Sequence, residues 1–360
     1  MMQSVPDGWH LVRLAHVVEF RNGQDFKAVE SDSENIPVYG SGGVFAQAQT
    51  YLHDGESILF GRKGTVDCPL YVNGKFWTVD TMYYTIPRPL VVPKFVYYWA
   101  TTAPYPAIAT QTTVPSTTSV DLGRLQIPLP PFKTQEAITT YLDCETSEID
   151  SMLNKLNDLG QLLEERQQNT VKETLASVSP NAPWVQCKLL CKINTGSGDT
   201  QDATEDGNFP FYVRSQTPKK YHTWEFDGEA VLTAGDGAGV GKVFHLANGK
   251  FMAHQRVYVL NNFQGTMASY FYHVFKWLFP HAAKDGSAKN TVDSVRQPMI
   301  ANLKVPLPSL DEQKHITKHL EENIKNIDAM FNKIKELKDL LIERRRALIT
   351  AAVTGQIEVH

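Results

Sequence analysis

Two long segments of the chain repeat apolar residues at alternating spacings of three and four positions. Each segment is poor in glycine and proline and rich in Leu, Ile, Glu and Lys. This spacing places the apolar side chains on one face of an α-helix and is typical of the seam between paired helices in a coiled coil. The predicted seam consists of Ile149, Met152, Leu156, Leu159 and Leu163 in the first segment and of Ile327, Met330, Ile334, Leu337 and Leu341 in the second.

The two predicted helices are long, and Ser309 and Glu312 form a capping-box pattern at the start of the second. At about 1.5 Å per residue, a helix of ~40 residues is roughly 60 Å long, whereas a compact module of ~130 residues is about 35–40 Å across. We therefore expect the helices to pack on each other, antiparallel, with the modules at opposite ends of a rod and related by a pseudo-two-fold axis. The alternative is that each apolar stripe packs on its own module.

Residues 1–126 and 181–304 follow a different pattern. They are rich in aromatic and β-branched residues, and turn signals interrupt them at short intervals, as in SILFGRKGTVD, KFWTVDTMYYTI, EAVLTAG and KFMAHQRVYVL. This pattern predicts short strands, while PKFVYYWATT and ASYFYHVFKWLF predict a short helix in each stretch. We therefore expect two α+β modules, each followed by one long helix.

The chain contains an internal duplication. The forty residues from Ile127 and the forty residues from Val305 align without a gap at an offset of 178, and 17 of the 40 aligned positions are identical. Similarity between the modules is weaker, as in the NGKF segments at 73–76 and 248–251. The helices have stayed alike while the modules have diverged, which favours one shared role for the helices and two different roles for the modules.

Composition excludes several classes of protein. No run of about 18 apolar residues is present, so no membrane span is predicted, and the first ten residues lack the charged head and apolar core of a signal peptide. Four cysteines in 360 residues are too few for a disulfide framework, so we expect a cytoplasmic protein with reduced thiols. The net charge of −4 gives no global indication of nucleic-acid binding, although a local basic face is compatible with it.

The most prominent local motif is the glycine-rich segment GDGAGVGK, which ends at Lys242. A phosphate-binding loop of the Walker A type needs glycine where this chain has Asp236 and serine or threonine where it has Val243, so the segment does not match. Two interpretations remain open: a glycine-rich turn between strands, or a loop that brings backbone N–H groups and Lys242 close to a phosphate. The corresponding turn of the first module, FGRKG at 60–64, is also basic, which favours the phosphate contact.

The sequence holds no recognisable catalytic or metal-binding constellation. Cys187 and Cys191 have the wrong spacing for a zinc knuckle and no second pair nearby, so we expect packed thiols rather than metal ligands. His254 and His273 lie in apolar surroundings and are expected to be packing residues. The HExxH and GxSxG motifs are absent. We therefore predict that the chain is not an enzyme and binds no metal or cofactor itself.

Basic and aromatic residues cluster near the turns of both modules. The candidate DNA-binding residues are Arg21, Arg62, Lys63 and Lys75 in the first module and Arg214, Lys219, Lys220, Tyr221, Lys242, Arg256 and Arg296 in the second. Such side chains contact phosphates and base edges in protein–DNA complexes. Each of them, taken singly, is also compatible with an ordinary solvated charge.

The two aligned segments resemble a known family. The patterns IPLPPFKTQEAI…LDCETSEID…LLEER and VPLPSLDEQKHI…IDAMFNKIKELKDLLIERRRALITAAVTGQIEV are similar to the helical regions of the specificity subunits of type I restriction-modification systems. The turns GRKG and GDGAGVGK are similar to turns of that family's recognition domains, and the resemblance extends over the whole chain.

The resemblance implies an α+β fold with two β-rich target-recognition domains separated by a pair of long antiparallel coiled-coil helices, related by a pseudo-two-fold internal repeat. It divides the chain into target-recognition domain 1 (1–130), spacer helix 1 (131–178), target-recognition domain 2 (179–308) and spacer helix 2 (309–360).

The resemblance also implies a non-catalytic DNA reader that takes part in defence against foreign DNA. Each recognition domain would read one half of a bipartite, asymmetric double-stranded DNA target. The helices would set the spacer between the halves and dock two methyltransferase (modification) subunits, to which restriction-translocase subunits add. S-adenosylmethionine, ATP and magnesium would then belong to these partners. Because the net charge is close to neutral, we expect weak, salt-sensitive DNA binding by the chain alone.

Two other functions are compatible with parts of the sequence. A bivalent coiled-coil scaffold would present two protein-binding heads without reading DNA. A nucleotide-dependent enzyme would use the loop at 235–242, which the failed Walker A match disfavours. Enrichment of a bipartite DNA sequence by an assembled complex would separate the reader from the scaffold, and nucleotide turnover by the isolated chain would support the enzyme.

Overall fold

The computed structural model describes residues 5–31, 35–178, 182–286 and 294–359. The chain divides into two units, Met1–Asn157 together with Lys335–His360, and Asp158–Ile334. Each unit contains one β-rich module and one stretch of each long helix. Within the described ranges, none of the helices combines the length and the apolar character needed to cross a bilayer.

The module of the first unit is built on two four-stranded sheets and a two-stranded one. Its strands are β1 (His10–Arg13), β2 (Val18–Asn22), β3 (Ile36–Gly40), β4 (Gly43–Ala48), β5 (His53–Asp54), β6 (Ser57–Gly61), β7 (Leu70–Val72), β8 (Lys75–Thr78), β9 (Met82–Pro87) and β10 (Gln126–Leu129). The short helices α1 (Pro93–Ala100) and α2 (Ser119–Arg124) follow β9, and the long helix α3 (Phe132–Val178) begins after β10. The sheet orders are β2-β9-β6-β7, β4-β3-β8-β5 and β1-β10.

The module of the second unit repeats this plan. Its strands are β11 (Trp184–Gln186), β12 (Lys192–Thr195), β13 (Phe209–Tyr212), β14 (Lys219–Tyr221), β15 (Ala230–Ala234), β16 (Phe244–Ala247), β17 (Met252–Ala253), β18 (Val257–Asn261) and β19 (Lys304–Pro306). Its helices are α4 (Ala268–Gly286) and α5 (Gln297–Ala301), after which the long helix α6 (Leu310–Val353) begins. The sheet orders are β12-β18-β15-β16, β14-β13-β17 and β11-β19.

The two modules share one topology. In each, a central strand is flanked antiparallel by its neighbours in a four-stranded sheet, and a second sheet contains one parallel pair, β3 with β8 or β13 with β17. The strand that opens each module pairs with the strand that leads into the long helix, β1 with β10 and β11 with β19. The predicted α+β fold with two β-rich modules is therefore confirmed.

Within each unit, stretches of the two long helices run in opposite directions. In the first unit, Ile138 and Leu142 near the start of α3 share a buried core with Ile349 and Val353 near the end of α6. In the second unit, residues near the end of α3 share a core with residues near the start of α6, among them Leu175, Ile316 and Leu320. The predicted antiparallel pairing of the helices is confirmed, and the arrangement of the modules along a rod stays a prediction.

The predicted capping box at the start of α6 is present. The backbone N–H and the hydroxyl of Ser309 both donate to Glu312 Oε2, at 2.9 and 2.7 Å, and the backbone N–H of Glu312 reaches Ser309 Oγ at 3.4 Å. These hydrogen bonds lower the pKa of Glu312. The predicted domain boundaries at 130/131 and 308/309 lie just before the starts of α3 and α6, and residues 179–181, at the predicted start of the second module, lie outside the described residues.

A buried glutamine joins each module to the long helix that follows it. The side chain of Gln135 accepts from the backbone N–H of Val92, at 2.8 Å, and donates to the carbonyl of Pro130, at 3.0 Å. Gln313 does the same with Met267, at 2.9 Å, and Pro308, at 2.9 Å. Both glutamines are at most 1% exposed. Val92 directly precedes α1, and Met267 directly precedes α4. Each glutamine side chain therefore links the start of a module helix to the start of the long helix.

The observed buried faces of α3 and α6 correct the predicted seam. Ile149, Leu163, Ile327 and Ile334 are buried, and Leu156 and Leu341 are half-buried. The remaining four predicted seam residues are 41–49% exposed: Met152, Leu159, Met330 and Leu337. The positions that take their place on the buried face are half-buried: Leu153, Gly160, Phe331 and Lys338.

The physical reason is the pitch of the helix. At 3.6 residues per turn, positions three and four residues away from a buried side chain lie on either side of it, at nearly equal angles. Apolar residues occupy both sides in this chain, so the sequence pattern fits two seams that differ by a small rotation. The helices bury the side that contains Leu153 and Phe331, and they expose the side that contains Met152 and Met330.

The two ends of the described chain meet in the first unit. Ile349, Ala352 and Val353 of α6 belong to the same hydrophobic core as the first module, and Trp9 packs against this core. Gly355, just after α6, has φ = +71°, and a Cβ atom there would collide with Pro6. This position needs glycine for its backbone conformation and for the close approach of the N-terminal segment.

Candidate nucleic-acid interface

In the first module, the basic turn after β6 is held by backbone hydrogen bonds to two other turns. The N–H groups of Arg62 and Lys63 both donate to the carbonyl of Thr81, at 2.8 and 3.2 Å, and the N–H of Thr117 donates to the carbonyl of Arg62, at 2.9 Å. Lys63 also forms an isolated bridge with Ser116. Both basic side chains are exposed on this rigid support.

In the second module, the glycine-rich turn after β15 has the same backbone support. The N–H of Gly235 donates to the carbonyl of Arg256, at 2.8 Å, and the N–H of Val295 donates to the carbonyl of Gly235, also at 2.8 Å. Asp236 forms an isolated bridge with Ser294. A 3₁₀ turn over Gly237–Gly239 and the positive φ angles of Gly237 (+73°) and Gly241 (+66°) shape the rest of the loop.

These matching bonds identify equivalent positions in the two modules. Gly235 corresponds to Arg62, and Asp236 corresponds to Lys63, because each pair makes the same backbone contacts. We call the position of Lys63 and Asp236 the framework position. The same backbone site therefore carries a cation in the first module and an acid in the second.

Asp236 holds two of the predicted DNA-binding arginines. Its Oδ1 accepts from Arg214 Nη1 and its Oδ2 accepts from Arg256 Nη1, both at 2.7 Å. Partial burial alone would raise the pKa of Asp236, but the hydrogen bonds and charges of the two guanidinium groups lower it below its ordinary value. The three residues form a cationic cluster with a net charge of about +1, because the carboxylate offsets one of the two guanidinium charges.

Two further predicted residues lie next to this cluster along the chain. Lys242 is an exposed residue near the end of the same loop, and its carbonyl accepts from Gln216 Nε2 at 2.7 Å. Arg296 is exposed and directly follows Val295, whose N–H donates to Gly235. The seven predicted residues of the second module thus divide into this group of four, which includes Arg214 and Arg256, and the three residues of β14.

The remaining predicted residues sit on other strands. The Lys75 ammonium lies over the ring of Tyr51, 5.0 Å from its centroid, at the start of β8. Arg21 on β2 pairs with Glu19 at 2.6 Å. Lys219, Lys220 and Tyr221 form β14, at the edge of its sheet, and the Tyr221 hydroxyl lies 3.4 Å from Asp202 Oδ2. Contact of all eleven residues with DNA stays a prediction.

Two histidines and two cysteines that the sequence assigned to packing are buried. Burial lowers the pKa of His254, whose Nδ1 accepts the backbone N–H of Arg256, at 3.0 Å. Burial also lowers the pKa of His273, to about 4. Cys187 and Cys191 are buried, and burial raises the pKa of Cys191 to about 12. In the described part of the chain, no group of three or more His, Cys, Asp or Glu side chains is placed to hold a metal ion.

Asp236 is the member of this cluster that the sequence did not predict. In the sequence it appears only as a mismatch to the Walker A pattern. Its partners lie 22 and 20 residues away along the chain, so no local pattern connects them. The signal that was available is the acid itself, because an aspartate inside an otherwise basic glycine-rich turn calls for a cationic partner.

Comparison with known proteins places both modules in one family. A family model described as the type I restriction modification DNA specificity domain matches residues 6–161 and again residues 183–339. Each match covers one module together with part of the long helix that follows it.

Individual relatives agree with this result. The EcoDI specificity subunit of a type I restriction enzyme from Escherichia coli is 28% identical over 176 residues, which are 48% of this chain and 38% of that protein. The chain therefore matches less than half the length of this relative. A Haemophilus influenzae protein named as a type I restriction enzyme specificity subunit is 24% identical over 336 residues, 87% of this chain and 85% of that protein.

Solved structures show the same fold. A structure of a type I restriction-modification system, described for its complex assembly and conformational transition, superposes with a TM-score of 0.70 at 17% identity and covers 98% of this chain and 100% of its own. The S subunit of a type I system from M. genitalium gives a TM-score of 0.50 at 15% identity, with 98% and 97% covered. Because the specificity-domain model matches both modules and most of the sequence, the chain belongs to the type I restriction-modification DNA specificity family.

Proposed function

We propose that this chain is the sequence-reading subunit of a type I restriction-modification complex in the cytoplasm. Each module reads one half of a bipartite, asymmetric site in double-stranded DNA, and the paired helices fix the spacer between the halves. The chain carries out no chemistry itself. Two methyltransferase subunits and the restriction-translocase subunits supply S-adenosylmethionine, ATP and magnesium in this proposal.

One observation carries the proposal for two different half-sites. The modules share a topology and the same supporting hydrogen bonds, but the framework position carries Lys63 in one and Asp236, with Arg214 and Arg256, in the other. A common support with different exposed chemistry is what two readers of different sequences require, because base edges are distinguished by their donor and acceptor patterns. Two modules with identical exposed chemistry would instead suit a symmetric site.

Exposed apolar residues support the docking of two copies of one partner. Leu159 and Leu162 of α3 are 45% and 60% exposed, and their duplicates on α6, Leu337 and Leu340, are 41% and 60% exposed. Leucine at such exposure is unremarkable singly, but the same pair at the same offset of 178 indicates a retained surface. We propose that each leucine pair contacts one methyltransferase subunit.

The proposal is tested by selection from a DNA library with two randomised segments and a variable spacer. The chain is co-expressed with its methyltransferase subunit, and bound DNA is sequenced at several salt concentrations. We expect enrichment of two unlike half-sites at one spacer length, with affinity falling steeply as salt rises because phosphate contacts release counterions. A complex that enriches no bipartite sequence would favour the protein-binding scaffold, and nucleotide turnover by the isolated chain would favour the enzyme.

A further inference from the structure

Asp236 sits where three segments of the second module converge. It follows β15, its backbone is bridged to Ser294, and its carboxylate binds one arginine that follows β13 and one that precedes β18. The Asp236 side chain is 21% exposed, whereas those of Arg214 and Arg256 are 40% and 58% exposed. The acid is thus the inner member of the cluster and the guanidinium groups are the outer members.

The backbone of Arg256 is hydrogen-bonded through both its carbonyl and its N–H. The carbonyl of Arg256 accepts from Gly235, and the N–H of Arg256 donates to the ring of His254, at 3.0 Å. Gly237, the next residue after Asp236, has φ = +73°, and its Cβ position lies 3.7 Å from Arg214 Nη1. The turn therefore places Gly237 beside the Arg214 guanidinium, while the Arg214 side chain remains 40% exposed to solvent.

The cluster is suited to holding its two arginines in a fixed orientation rather than to attracting DNA by positive charge alone. A carboxylate near the DNA backbone repels phosphates, so a module that needed only positive charge would gain from losing Asp236. Each guanidinium has five N–H donors and gives one to Asp236, which leaves four. The two oxygens of one carboxylate hold both planar groups at a fixed separation, and a fixed arginine fork is the group that reads the O6 and N7 atoms of guanine.

We propose that Asp236 is a positioning residue that holds Arg214 and Arg256 to read guanine bases in the half-site of the second module. This inference rests on the proposed function. Asp236 itself contacts no base: it sets the direction in which the free donors of the two arginines point. Each arginine pairs bidentately with one guanine, so the half-site contains two guanines.

The first module provides an internal control. At its framework position it has Lys63, and the neighbouring Arg62 donates from Nη1 to the backbone carbonyl of Asp80, at 3.3 Å, rather than to a carboxylate. The described partners of Asp236 are Arg214, Arg256 and Ser294, which all belong to the second module. A change at Asp236 should therefore act on one half-site and leave the other unchanged.

The test is the two-segment library selection with the complex of chain and methyltransferase, carried out for wild type, Asp236→Asn and Asp236→Ala. We expect each variant to relax the preference at two guanine positions of one half-site by about tenfold or more, since a bidentate arginine–guanine pair discriminates on this scale. The other half-site should keep its wild-type preference, which also shows that the variant complex is folded. Affinity for random DNA should stay the same or rise, because an acid has been removed.

Arg256→Lys supplies a second readout, since it keeps the charge and removes the fork. Alone it should relax one guanine position, and in the Asp236→Asn background it should add little at that position. If wild type selects a bipartite site and Asp236→Asn leaves both half-sites unchanged, or weakens binding to all sequences equally, the positioning role is wrong while the proposed function stands. If wild type selects no sequence, the proposed function and the positioning role fail together.

Discussion

The side-chain oxygen of Gln135 accepts a hydrogen bond from the backbone N–H of Val92, at 2.8 Å, where the first module joins α3. The same side chain donates to the carbonyl of Pro130, so one amide pairs the N–H that the start of α1 leaves without a helical partner and a carbonyl just before α3. Gln313 repeats this arrangement in the second unit. The duplicated joint holds each long helix in a defined direction relative to the module that precedes it, as the proposed spacer role of the helices requires.

Replacing the amide of Gln135 should destabilise the first unit. Gln135→Leu leaves the Val92 N–H and the Pro130 carbonyl buried without a partner, at a cost of about 2–4 kcal/mol. Urea unfolding measures this loss as a lower midpoint. Gln161→Leu, at an exposed position of α3, is the matched control and should leave the midpoint nearly unchanged. Equal midpoints for the two variants would show that the joint does not depend on Gln135.

Shortening both helices by one heptad should shorten the preferred spacer. Deletion of 153–159 together with 331–337 removes about 10 Å of helix rise, which corresponds to roughly three base pairs. Both deletions leave the apolar faces in phase, because seven residues are close to two turns, and Met152 and Met330 take the places of the deleted Leu159 and Leu337. Library selection should then return the wild-type half-sites at a spacer about three base pairs shorter. A changed half-site sequence at the wild-type spacer would contradict the proposal that the helices set the spacer.

Charging one leucine pair should remove one methyltransferase subunit from the complex. Leu337→Glu with Leu340→Glu places two carboxylates on a surface that is proposed to become buried, and burial of charge without a partner is strongly unfavourable. Native mass spectrometry should show one bound methyltransferase instead of two. Leu159→Glu with Leu162→Glu should give the same stoichiometry, and all four changes should abolish binding. Leu90→Glu, at a position 78% exposed in the first module, is the control and should retain two.

Acid should destabilise the second unit through His273. Burial, reinforced by the charge of Lys276, lowers the pKa of this ring to about 4, so the fold holds it neutral. The folded-state pKa lies below the unfolded one, so between the two values only the unfolded state binds the proton. The free energy of unfolding is therefore highest above the unfolded pKa of about 6.5 and decreases as the pH falls from there towards 4. The loss is on the order of 3 kcal/mol at its limit.

His273→Gln should flatten that pH dependence. The glutamine does not titrate, so the difference in urea midpoint between pH 7.5 and pH 5 should shrink relative to wild type. His281→Gln changes an exposed histidine of the same helix and should preserve the difference. An unchanged difference in His273→Gln would place the acid sensitivity elsewhere.

Most of the fold could be predicted from the sequence because the two helical repeats of apolar residues are long. The helices, the capping box of Ser309 and Glu312, and the short helices after β9 and β18 all follow from local spacing. The exposed half of the seam was predicted wrongly because apolar residues such as Met152 and Leu153 lie on both sides of the buried position, and only packing decides between them.

The site was less predictable because its contacts are distant in sequence. Arg62 and Lys63 could be chosen from a basic turn, but the role of Asp236 depends on Arg214 and Arg256, which arrive from two other turns. Lys75 and Lys219 are basic residues of the same kind, but they lie on β8 and β14 rather than in these turns. Basic composition selects exposed cations in general, and only the backbone bonds between turns show which of them share a surface.

The close approach of Gly355 to Pro6 has a consequence for how the protein is made. Residues 158–334 form a continuous stretch, whereas the first unit also needs residues 335–359 to complete its core. A ribosome that synthesises the chain from the N-terminus therefore releases all of the second unit before the first can close, although the first was started earlier. A transcript cut short within α6 would leave the first module with an open apolar face, which marks such a chain for chaperones and proteases.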